Sequence, residues 1–440
     1  VSYYKAHLAI YCVLGLAAAG GASFSITAFW RDKVADAGLK RAESALALHD
    51  FTRARAELQS YLALRPGDAE AHWLLARTER RSLLYFQFQP DWEASALHHL
   101  AESSRLQYDS EALELESALL ATARGELPRV QSYLLGKLGH SYPDAAIVLE
   151  ALVPAYLASH LLPPAMEQVT RLLAIDPENA QAWYWRGLIR EQLLFNRLAA
   201  EDFTKALALN PNLEEARRPL ARICLSAKQI DEALTQYDIL HRLHPDDSEI
   251  LVGMAQCCHA KGQEYEARDW LDRLPAAAAE SGPALLLRGQ LALEAGQNKE
   301  AEALLRKAVS ASPQEAQGYY SLAQCLRHNG QSAESAALIA RFERMTADFH
   351  RYTALTDRMR TDSRDPAVLC EAGMIMLGNG MTDGGLGWLA SALRADPNYA
   401  PAHLALARYY QEKGDAKQAE FHRQSARTAL ARSPGGLPIP

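Results

Sequence analysis

Six cysteines, fourteen histidines and a crowd of arginines are the residues of this 440-residue chain whose types could do chemistry. A zinc knuckle or redox dithiol needs closely paired thiols, and no C-x-x-C occurs. Cys224 and Cys258 stand 34 residues apart, and Cys257 and Cys325 twice that, so these thiols keep the step of a repeat and read as small apolar core groups. His98 and His99 are neighbours facing different ways on a helix. His241 and His244 share a face without a third ligand, so all four read as solvated helix residues. The sequence has no H-E-x-x-H, G-x-S-x-G, phosphate-binding loop or dinucleotide fingerprint, and it reads as a non-enzyme with no cofactor.

The elements that would position any site must be helices. Hydrophobic residues make up 49% of the chain, Ala and Leu dominate, and no run alternates β-branched with polar residues. The net charge of -7 and pI of 6.1 argue against nucleic acid as a partner, because phosphate backbones call for concentrated Lys and Arg. Although the length would hold two or three ordinary domains, composition does not shift along it, and a uniform array explains that better.

Three registers share one period. Ala165, Ala199, Ala233, Ala267 and Ala301 recur every 34 residues, as expected where two helices touch with room for a methyl group. Pro143, Pro177, Pro211, Pro245 and Pro313 keep the step, with Ala279 filling one slot; each proline ends a helix by withholding an N–H. Gly262, Gly296 and Gly330 mark the turn inside each unit, as do Gly380 and Gly414. In Ala180 to Pro211 the residues Trp183, Gly187, Ala199, Phe203, Ala206 and Pro211 form a W-G-A-F-A-P skeleton, and on it the chain resembles the tetratricopeptide repeat family. Arg186 and Arg190 depart from it, standing where the family usually has Leu and Tyr.

The resemblance implies an all-α, right-handed superhelix of about eleven helix-turn-helix repeats, with seven or eight closing one turn. Laid along the chain it expects an anchor over 1–31, repeats over 32–145, regular repeats over 146–347, a helical extension over 348–365, repeats over 366–433 and a tail over 434–440. The register breaks twice. Extra residues fall in the aromatic stretch Arg80 to Trp92, where two longer helices would bury the rings or a loop would offer them to a partner. Gly330 to Gly380 exceeds one period by 16 residues, and Leu338, Phe342, Met345, Phe349, Tyr352 and Met359 form a helical stripe across the excess. That stripe packs on the last two repeats or meets a partner.

In the family the first helices line a concave groove that holds peptides. The matching positions here are Trp73, Arg77, Arg80 and Arg81 in the second repeat, Tyr184 and Glu191 in the fifth, Arg218 and Arg222 in the sixth, and Tyr320, Gln324 and Arg327 in the ninth. Leu115, Leu119, Leu157, Val252, Leu286, Leu293, Cys370 and Met374 add apolar lining. The Lys and Asn pattern of carboxylate-clamp members is missing, and the lack of C-x-x-C separates the chain from the membrane-anchored regulators of lipopolysaccharide synthesis. An apolar groove rimmed by Arg and Tyr suits a protein segment. A tight superhelix would instead bury these residues against itself.

Ala6 to Trp30 carries no Asp, Glu, Lys or Arg, and as a helix would be ~37 Å long at ~1.5 Å per residue. Tyr3, Tyr4, Tyr11, Phe29 and Trp30 put rings near both ends, as interfacial anchoring requires. A buried first helix or a cleaved signal peptide are the other readings. Gly15, Ala19 and Ser23 would let another transmembrane helix approach closely. Lys5 before the run against Arg31, Lys33, Lys40 and Arg41 after it favours a cytoplasmic domain if counted literally. The first residue is Val, however, so upstream basic residues would change the count, and an exporting signal-anchor would make the domain periplasmic. The expectation is a single-pass scaffold in a bacterial inner membrane, its domain periplasmic or alternatively cytoplasmic. Through the concave face, and possibly the membrane helix, it would bind other proteins of an envelope assembly. An accessory subunit of a large membrane enzyme and an export or polysaccharide-secretion scaffold are the alternatives.

Overall fold

The computed structural model describes residues 33–85, 91–138, 144–359 and 364–432. Among them every regular element is a helix, and the packing divides the chain into two units, Val1–Ala155 and Tyr156–Pro440. The first unit pairs α1 (33–47) with α2 (Phe51–Leu64), α3 (Ala69–Leu84) with α4 (Trp92–Arg105), and α5 (Ser110–Ala123) with α6 (Leu127–Lys137). The division falls inside α7 (Ala145–Ala158), which precedes α8 (Leu162–Ile175). In the second unit α9 (Ala180–Gln192) precedes α10 (Asn196–Leu209), α11 (Glu214–Ser226) precedes α12 (Ile230–Leu243), and α13 (Ser248–Ala260) precedes α14 (Glu264–Asp272) and the short α15 (Ala276–Ala279). Next come α16 (Gly282–Glu294) and α17 (Asn298–Ala311), α18 (Ala316–His328) and α19 (Ser332–Met359), α20 (Pro366–Gly378) and α21 (Thr382–Ala395), and α22 (Ala400–Glu412) and α23 (Ala416–Arg432).

Each repeat is built by the same local devices. Asp50, Asp68, Asp109, Asn179, Asp247 and Asp365 cap helix N-termini, each accepting a backbone N–H three residues on. The turn between the two helices passes through one left-handed residue: Gly262, Gly296, Gly330, Gly380 and Gly414 in some repeats, His160, Leu194 and Lys228 in others. The five phased alanines are all fully buried. Gly187 is held to hydrogen by Phe203, whose ring would lie 2.6 Å from a Cβ there. A further regularity concerns the prolines. The carbonyls of Pro66, Pro177, Pro211, Pro313 and Pro397 are met by the side chains of His72, Trp183, Arg217, Tyr319 and His403, each six residues later, at 2.6–3.2 Å. The tryptophan of the skeleton is thus one of four side-chain types that satisfy an otherwise orphaned carbonyl at a helix end.

Both register breaks have structural explanations. Helix α3 runs for 16 residues, where α9 has 13. Tyr85 leans on the rings of His49 and Phe51, each 5.0 Å away, and Trp92 is buried, so these described rings of the insertion pack inward; Phe86 and Phe88 lie outside the described residues. The extended helix is α19, 28 residues or ~42 Å long. Met345, Tyr352, Leu355 and Met359 of its stripe are buried, while Phe349 is exposed. The stripe goes further than the last two repeats: the hydroxyl of Tyr352 donates to the carbonyl of Gln192 at 3.1 Å, and Trp388 Nε1 donates to that hydroxyl at 3.1 Å. Gly387 in α21 sits so near the turn between α7 and α8 that a Cβ would lie 2.5 Å from the His160 carbonyl oxygen. The second unit therefore closes on itself, its late helices resting on the turns of its earliest repeats.

The expected anchor, with Gly15, Ala19 and Ser23, lies outside the described residues. Among those described, no helix is long and apolar enough to cross a membrane.

Candidate functional site

Burial decides the fate of the groove arginines in the first unit. Arg80 is 1% exposed and its guanidinium is paired with Glu116 of α5, itself 2% exposed. Arg81 makes a two-pronged pair with Glu150 of α7 at 3.1 and 3.2 Å, and Tyr85 donates to the same carboxylate at 2.7 Å. Arg77 lies over the Trp73 ring at 4.8 Å and donates to Asp144 at 2.6 Å. Trp73 is half-buried against Tyr108. These four positions, expected to face a partner, instead tie α3 to α5 and to residues 144–150. The reason is electrostatic: a guanidinium so far out of water persists only beside a carboxylate, and the next helices supply three. Beside them Glu79 accepts from Arg55 at 2.9 Å, while burial raises its carboxyl above the ordinary range.

The second unit treats its groove positions differently. Tyr184 is buried, and burial pushes its hydroxyl well above the usual range. Glu191, Arg218 and Arg222 come together in an alternating strip across α9, α11 and α13. Arg222 donates to Glu191 at 2.7 Å and stands 3.5 Å from Glu249; Arg218 donates to Asp247 at 2.8 Å. Arg222 and Glu249 are each 56% exposed at the side chain. On α18, Tyr320 rests on Phe342 at 5.1 Å, Gln324 is half-buried and Arg327 is exposed. Of the apolar lining, Leu115, Leu119, Val252 and Cys370 are buried, Leu157, Leu286 and Leu293 are partly covered, and Met374 is exposed.

Sequence reasoning passed over Leu404 and Arg408. They hold the fifth and ninth places of α22, where the groove template would have found them. Arg408 joins Met374, Leu377 and Tyr409 around a cleft of about 380 Å³. A larger cleft of about 650 Å³, lined by Leu162, Met166, Leu193, Phe195 and Met359, exists only because α19 returns to α8 and α9, so no local pattern signals it. The expectation for His99 also changes: it is half-buried and bonded to His72 at 2.8 Å. The described cysteines are buried, and burial lifts the Cys257 thiol to about 12 and the Cys370 thiol to about 11. Among the described residues no three His, Cys, Asp or Glu stand together in a way that would hold a metal ion.

Models of the tetratricopeptide repeat match residues 39–82, 237–291 and 286–348. Among solved structures, the chain is similar to a tetratricopeptide repeat protein from Parabacteroides merdae at 17% identity, covering 67% of this chain and 99% of that one with a TM-score of 0.33. It is similar to PilW, a type IV pilus biogenesis factor, at 21% identity over 45% and 92% of the two chains, with a TM-score of 0.38. For the Cut9–Hcn1 hetero-tetramer of the APC/C the figures are 14% identity, 92% and 91% coverage and a TM-score of 0.33. With its matched segments and its helix pairs stacked at a 34-residue step, this chain is a protein built of tetratricopeptide repeats.

Proposed function

We propose that this protein is a scaffold, tethered to a bacterial inner membrane through residues 6–30, that holds a partner protein of an envelope assembly on the concave side of its second unit. The observation that carries the reading is the charged strip of α9, α11 and α13, where Arg222 and Glu249 stay more than half exposed although each lies within ion-pair distance of a neighbour. Surface pairs of this kind contribute only ~0–1 kcal/mol to folding, so a partner carboxylate or guanidinium exchanges with them at little cost. Membrane tethering raises local concentration, and several weak contacts then act as one avid attachment.

The test exchanges charge without removing it. Arg222→Glu combined with Glu249→Arg keeps an internal pair but inverts what a partner meets. Cross-linking in membranes, gentle detergent extraction and identification of the attached chains should show a partner at fixed stoichiometry on the wild type and its loss from the exchanged variant, with the melting temperature unchanged. A partner retained by the variant, or a wild-type chain extracted alone, overturns the proposal. A large membrane enzyme as the retained partner would make the protein an accessory subunit held elsewhere.

A further inference from the structure

Two histidine pairs that the scaffold reading does not use sit in the same place in two repeats. His72 and His403 are each the fourth residue of a first helix, α3 and α22. His99 and His422 each follow by three residues the buried alanine of the second helix, Ala96 and Ala419. In both repeats the two Nδ1 atoms face each other, at 2.8 and 2.9 Å, and the Nε2 of the first ring meets a proline carbonyl, at 3.1 and 3.2 Å. The sixth repeat bridges the same two places without a titratable group: Arg217 donates to Gln236 at 2.9 Å and to the Pro211 carbonyl at 2.6 Å.

Proton arithmetic follows from the carbonyl. A carbonyl only accepts, so Nε2 of His72 and of His403 carries hydrogen, and the neutral ring offers a bare Nδ1 to the Nδ1–H of its partner. One added proton is tolerated: the first ring becomes a double donor and the second moves its hydrogen to Nε2. Two added protons set N–H against N–H, and the bridge is gone. We propose that each pair is an acid-released clamp, holding its repeat's helices together with no extra proton or one and letting go with two, so that the second and last repeats loosen before the interior ones.

The surroundings set where this happens. The first pair is faced by Arg55 of α2 and by His98 and Glu102 of α4; the second is faced by the Tyr410 ring of α22, stacked on His422 at 5.7 Å. Burial first, then His72, His98 and Arg55, hold His99 down at about 4, with Glu102 opposing. Burial and then His403 depress His422. A histidine depressed in the folded state is protonated first in the unfolded chain, so its stability contribution is present above the unfolded value of ~6.5 and is lost as pH falls from there towards the folded value.

Hydrogen exchange on the full chain, corrected for intrinsic rates, compares about pH 7 with about pH 5. Opening of α22 and α23 should become at least about tenfold more frequent in acid, while α11 and α12 hold. His403→Arg with His422→Gln copies the sixth repeat and should abolish the acid effect. Equal protection of α22 and α23 at both pH values, or the same loss in the variant, overturns the proposal. Protection gained with zinc ions by the wild type alone would also overturn it, by making the pair a metal ligand set. Should the variant fail to fold, ring ¹⁵N shifts of the wild-type histidines decide: hydrogen on Nε2 of His403 with stepwise uptake supports the clamp, and two independent titrations at the ordinary value refute it.

Discussion

The hydroxyl of Tyr352 donates a hydrogen bond to the main-chain carbonyl of Gln192, 160 residues earlier, while accepting one from Trp388. Two polar groups from distant repeats are satisfied by one phenol, itself 4% exposed. Tyr352→Phe leaves both without that partner and should destabilise the second unit by ~1–3 kcal/mol. Denaturant unfolding gives the loss. Hydrogen exchange should show it concentrated in the second half of α19 and around residues 188–195; a loss spread evenly over the unit would contradict the closure described here.

The Arg80–Glu116 pair makes a sharper contrast. Removing one partner, as in Glu116→Ala, strands a buried charge and should cost ~3–5 kcal/mol, whereas Arg80→Met with Glu116→Leu should be near neutral. Urea midpoints of the two variants, which should differ clearly in this order, check it.

Lys228 and Leu194 occupy left-handed turn positions, with φ near 61°, where other repeats place glycine. Lys228→Gly should stabilise by ~1 kcal/mol, because a Cβ is strained in that region. The reverse change, Gly262→Ala, should destabilise by a similar amount, and paired thermal melts compare them.

Ala233 is wholly buried between α11 and α12. Ala233→Leu should overpack that contact and cost ~1–3 kcal/mol, with exchange rising in α11 and α12 more than in α20 and α21. A variant as stable as wild type would mean the spacing there is loose.

Arg186 and Arg190 show how far the sequence could be read. Their departure from the family pattern is visible in the chain itself; that both converge on Asp202, at 2.7 to 3.0 Å, is a fact of packing between α9 and α10. The same holds for Arg77, Arg80 and Arg81. Their groove positions follow from the 34-residue template, yet their carboxylates lie 36 to 69 residues away, on helices whose rotation the template does not state.

What the sequence determined by itself is everything local: eleven helix pairs, their caps, prolines and turns, the buried alanines, and the long α19. Each depends on residues within one repeat, where propensity, capping and side-chain volume act at short range. Tertiary structure alone decided which groove residues turn inward, that Tyr352 reaches Gln192, and that His72 meets His99. Small rotations at every repeat interface add up along the array, and only their sum determines which distant surfaces touch.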